Sequence, residues 1–138
     1  MVASAVLGGA VRPRRFVLSN PAFRPAVVVP GWKLLLGRAT SGLVPTLTLT
    51  NEVDPALLSW DPEVAAEYAA DAVVHDRISS RLFTEWVAAS EDALRRAGGL
   101  TPSCLLVVSE GDRIIDRRGG LEFSRRAGSR ATVASWLG

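Results

Sequence analysis

The residue best placed to do chemistry is Asp112. It follows Ser109, Glu110 and Gly111, which break the apolar run Cys104 to Val108. A short continuous apolar run fits a strand covered on both faces, as in a parallel sheet. An acid just past the carboxyl end of such a strand sits where open α/β sheets keep their reactive groups. The competing interpretation is an ordinary turn aspartate, since turns are rich in Asp.

Other candidates carry less. Asp112 and Asp116 are four residues apart and could pair, but Ile114 and Ile115 between them suggest a turn packed on the core. His75 is the only histidine, and with Asp71 and Asp76 it lacks the number and spacing of metal ligands. Cys104 lies inside the apolar run and reads as a small buried hydrophobe, not a nucleophile. Neither Gly8–Gly9 nor Gly119–Gly120 belongs to a phosphate-loop pattern. Trp32, Trp60, Phe83 and Trp86 suit either an apolar pocket or, more simply, packing.

The elements that must position Asp112 follow from periodicity. Val2 to Ala10 is a small-residue helix, Arg14 to Ser19 a strand ended by Asn20–Pro21. A helix over 31–39 is expected, followed by an extended loop from Leu43 to Thr50, where Pro45 argues against a central strand. Asp61–Pro62–Glu63 starts a helix reaching about Ala70. The longest helix starts near Ser79 or Ser80. Its apolar stripe runs through Leu82, Phe83, Trp86, Val87, Ser90, Ala93, Leu94 and Ala97, and Gly98–Gly99 stop it. After Asp116 the sequence predicts a turn over 117–120, a helix from Leu121 to Arg126, and a strand near 131–134.

With 138 residues the chain suits one α/β domain, and 48% hydrophobic content is that of a globular protein. The net charge of +2 comes with arginine pairs scattered along the chain, so nucleic acid is not an expected partner. One cysteine fits a reducing, cytoplasmic setting. Ala26 to Gly37 is interrupted by Pro30 and Lys33 and is too short to span a bilayer, and charges follow the apolar N-terminus instead of preceding it.

Three stretches together resemble the serine α/β-hydrolases of the monoacylglycerol lipase and lysophospholipase family: FVLSNPAF (Phe16 to Phe23), DPEVAAEYAADAVVHDRISSRLFTEW (Asp61 to Trp86) and LLVVSEGDRIID (Leu105 to Asp116). The resemblance implies a partial α/β-hydrolase fold: a few parallel core strands plus a mostly helical lid. It divides the chain into core over 1–24, lid over 25–98 and core over 99–138. It assigns Asp112 as the acid of a Ser-Asp-His triad, His75 to the lid, a small lipid ester as substrate of the complete protein, and no cofactor. The family's G-x-S-x-G nucleophile elbow does not occur here, and no histidine follows Asp112. The chain is therefore expected to be an interior piece of a hydrolase, inactive alone and marginally stable. The alternative is a non-catalytic remnant whose apolar lid helices meet a partner or a second copy.

Overall fold

The computed structural model describes residues 2–26, 35, 39–40, 42, 44, 46–51 and 53–136. The expected helix over 31–39 falls mainly outside them, as does Trp32. The chain packs as two compact units, 1–26 with 86–138, and 27–85.

In the first unit, β1 (Arg15–Ser19), β4 (Ser103–Ser109) and β5 (Ala131–Trp136) form a parallel sheet in the order β1-β4-β5. Phe16 pairs with Cys104 and Leu18 with Leu106. Leu106 in turn pairs with Val133. Because side chains alternate along a strand, this register puts Leu18, Cys104, Leu106 and Val108 on one face. That face packs against α1 (Val2–Leu7), the C-terminal half of the helix Ser80–Arg96, and the helix Arg117–Ala127. Leu106 and Phe123 are fully buried there.

The other face differs from the expectation of burial on both sides. Val17 is 58% exposed, Leu105 40% and Trp136 65%. Among the described residues, the continuous apolar run of β4 is thus covered on one face. A run that reads as doubly buried records what each side chain suits, not which neighbours are present.

Helix starts and stops follow local chemistry. The first helix ends at Leu7, short of the expected Ala10, and Gly9 takes the left-handed conformation with φ 74°. The last helix begins earlier than expected. Asp116 caps it by accepting from the Arg118 N–H at 2.9 Å, so 117–120 is its first turn. Gly119 and Gly120 are there for close approach. A Cβ on Gly119 would stand 3.0 Å from Phe23 Cβ and 3.1 Å from the Arg24 nitrogen, and one on Gly120 would stand 3.1 Å from Leu106 and Val108. The double glycine weakens helix propensity, which is why the sequence suggests a turn. Gly119→Val is expected to overpack this contact and cost about 1–3 kcal/mol. Thermal unfolding of the variant checks it, and an unchanged midpoint would contradict the close approach.

In the second unit, β2 (Thr48–Thr50) pairs antiparallel with β3 (Arg77–Ser79). The end of the expected extended loop, Thr48–Thr50, is thus a short strand, and Pro45 lies outside the described residues. The helix α2 (Pro62–Ala70) starts as predicted, with Asp61 accepting from the Glu63 N–H at 2.9 Å. The long helix, α3 (Ser80–Arg96), contributes its start to this unit, where Leu82 is 60% exposed, and its remainder to the first unit, where Ser90, Ala93 and Leu94 are buried. The helix Arg117–Ala127 is α4.

Candidate active site

The carboxyl ends of β1 and β4 are tied together by one side chain. Asn20, directly after β1, accepts from the Ser109 N–H at 2.6 Å through Oδ1 and donates through Nδ2 to Asp112 Oδ2 at 3.0 Å. Its own N–H reaches the Val107 carbonyl at 2.9 Å. This bracket requires φ 37° at Asn20, the left-handed region that Asn tolerates better than most residues.

Asp112 is half-buried and held from both sides. Its Oδ1 accepts from the backbone N–H groups of Ile114 and Ile115, both at 2.8 Å. A carboxylate has about four lone-pair sites, so Oδ2 retains capacity for one more donor beside Asn20. The loop bearing Asp112 is laced to residues 20–26. The Ala26 N–H donates to the Ile114 carbonyl at 2.8 Å, and the Asp116 N–H to the Arg24 carbonyl at 3.0 Å. Trp86 Nε1 and Ser90 Oγ both donate to the Ala22 carbonyl, at 2.8 and 3.2 Å. Trp86 therefore anchors the same loop, a structural task for one of the four aromatic candidates. Trp60 is 68% exposed.

Asp112 and Asp116 do not act as a carboxylate pair. Asp116 serves α4 and pairs with Arg118 at 2.8 Å. The Arg118 hydrogen bond holds its carboxyl below the usual range. His75 is exposed in the second unit, where its Nδ1 accepts from the Arg77 N–H at 3.3 Å. Burial pushes the Cys104 thiol up to about 11, which leaves it protonated and inert at neutral pH. Among the described residues no three His, Cys, Asp or Glu side chains converge on a metal-sized site. No described helix is long and apolar enough to cross a membrane.

The residue missed from sequence is Asn20. Its signal was only the turn pair Asn20–Pro21; the bond to Asp112 spans 92 positions and has no local signature. Asn20→Ala removes both bridging bonds and replaces a residue suited to φ 37°. The expected cost is about 1–3 kcal/mol, read by denaturant unfolding. A variant as stable as the parent would count against the bracket.

The fold is similar to the crystal structure of the monoacylglycerol lipase of Paleococcus ferrophilus. That match has TM-score 0.90 and 27% identity, and covers 99% of this chain and 54% of that one. It is also similar to a soluble variant of monoglyceride lipase from Saccharomyces cerevisiae in complex with a substrate analog. There the TM-score is 0.76 at 13% identity, covering 99% of this chain and 50% of that one, so the likeness concerns fold alone. The architecture is thus the α/β-hydrolase fold, and the chain spans about half of it. In sequence, the chain is 32% identical over 117 residues to an uncharacterized abhydrolase domain-containing protein of Dictyostelium discoideum, covering 85% of this chain and 12% of that protein. The model of the hydrolase family described as serine aminopeptidase, S33, matches residues 1–136, and the chain belongs to that family.

Proposed function

We propose that this chain supplies the triad acid and the lid of a carboxylic-ester hydrolase acting on a monoacylglycerol-like or lysophospholipid-like ester. Asp112 is the acid, residues 25–98 form the lid, and 1–24 with 99–138 form part of the core. The observation that carries this is the clamp on Asp112: three N–H donors orient its carboxylate at the carboxyl ends of β1 and β4. A solved relative at 27% identity is a monoacylglycerol lipase, which supports a lipid ester as substrate.

In this mechanism a histidine removes the proton of a serine hydroxyl as the oxygen attacks the ester carbonyl. The alcohol leaves with that proton, and water then cleaves the acyl-enzyme. Asp112 accepts from the imidazole Nδ1–H, fixes the tautomer and stabilises the imidazolium. These 138 residues contain no G-x-S-x-G elbow and no histidine after Asp112, so the chain alone is inactive. The test is hydrolysis of a short-chain p-nitrophenyl ester and of a monoacylglycerol by the purified chain. The expected rate is that of buffer. Turnover that vanishes in Asp112→Asn would overturn the claim that the serine and histidine must come from elsewhere.

A second reading is an interaction module in a cytoplasmic setting. The exposed sheet face bearing Val17, Leu105 and Trp136 favours it. On this reading the contact surface is the sheet, since the stripe on α3 is largely buried at Ser90, Ala93 and Leu94. Sedimentation showing self-association that Trp136→Glu abolishes would support it, and a monodisperse monomer would count against it.

A further inference from the structure

A cleft of about 580 Å³ opens at the amino ends of β1 and β4, the opposite ends of the strands from Asp112. Its walls are the turn after α1, the Arg12–Pro13–Arg14 segment, and the loop of residues 99–102 before β4. The volume lies within the range of small-molecule sites. The lining contains Arg12, Arg14 and Thr101 but no acidic residue.

The charge of the lining points to a ligand class: Arg77, Arg125 and Arg130 also lack a carboxylate partner among the described residues, but only Arg12 and Arg14 line a cleft. Several arginines elsewhere in the chain are neutralised: Arg24 and Arg126 by Glu122, Arg95 and Arg96 by Asp92, Arg117 by Glu110 and Arg118 by Asp116. Arg12, Arg14 and the adjacent Arg15 have no carboxylate partner among the described residues. The cleft therefore presents uncompensated guanidinium groups around an open volume. A guanidinium offers a planar fork of donors that matches phosphate oxygens.

We propose that this cleft binds a phosphate-type oxyanion through Arg12 and Arg14. The chemistry is shared by free phosphate and by a phosphomonoester lipid headgroup. The test has two arms, both at low ionic strength, where exposed charges are least screened. Equilibrium dialysis measures inorganic phosphate. Co-sedimentation compares phosphatidylcholine vesicles with and without phosphatidic acid.

Saturable phosphate binding that also competes with phosphatidic acid vesicles establishes the site for either source. Binding to the acidic vesicles alone assigns the headgroup. In either case Arg12→Gln with Arg14→Gln should weaken binding about tenfold for each charge-assisted hydrogen bond removed. Arg125→Gln, on exposed α4 surface, should leave it unchanged. Neither side chain at 12 or 14 makes a bond within the described residues, so the double variant should fold, and circular dichroism checks that. Absence of binding in both arms, or equal binding by the double variant, overturns the proposal.

Discussion

Asp112→Asn is expected to lower kcat of the assembled hydrolase about ten-thousandfold, the scale seen when a triad acid is replaced by its amide. The effect has two parts. The amide cannot stabilise an imidazolium as a carboxylate does, and its NH2 can force the imidazole into the wrong tautomer. The backbone donors of Ile114 and Ile115 favour keeping a carbonyl oxygen in the Oδ1 position. The amide nitrogen is then directed to the Oδ2 side, where Asn20 Nδ2 already donates. Two donors would face each other, so a change at the acid also disturbs the bracket. A chimera in which this chain replaces the matching half of the Paleococcus ferrophilus lipase supplies the rest of the fold. The measurement is monoacylglycerol hydrolysis by the chimera with and without Asp112→Asn. Equal rates would remove Asp112 from the triad. Should the chimera fail to fold, the lipase residue superposed on Asp112 provides the second route. It is expected to be an aspartate whose amide variant shows the same loss.

What was legible in the sequence depended on whether the signal was local. The strand Cys104 to Val108, the Asp61–Pro62 helix start and the long helix from Ser80 all rest on neighbouring residues, and each stands where its pattern puts it. The start of α4 did not, because two glycines lower helix propensity for a reason that lies far away in the chain, at Phe23 and Arg24. The strand Arg77–Ser79 is three residues long and exists through its pairing with Thr48–Thr50, which no window around residue 77 contains. At the candidate site, Asp112 is singled out by following an apolar strand, whereas Asn20 becomes visible only once β1 and β4 lie side by side. Polar brackets between distant loops are the part of a site that periodicity cannot carry.

The second large effect is on stability. Phe123→Ala is expected to cost about 3–5 kcal/mol, the range for a large aromatic removed from a core. Phe123 is fully buried on α4, and its ring stacks on Phe23 with centroids 4.9 Å apart and planes 12° apart. A domain of this size is stable by roughly 0.05–0.15 kcal/mol per residue, so the substitution removes a large share, more so with one sheet face open. Phe23 belongs to the loop that carries Asn20 and is laced to residues 114–116, so the stack also braces the Asp112 clamp. Collapse of the cavity is limited on one side by the Gly119 contact, already at 3.0 Å for an added Cβ. Denaturant unfolding of Phe123→Ala, Phe23→Ala and the double variant measures the cost and the coupling. The coupling should fall near 0.5–1.5 kcal/mol, roughly the range for aromatic pairs beyond simple burial. Phe123→Leu keeps more of the volume and should cost less than alanine. A cost below about 1 kcal/mol for Phe123→Ala would mean that α4 is not held by this stack, and the brace under Asp112 would have to be sought in the Pro25–Ile115 bridge instead.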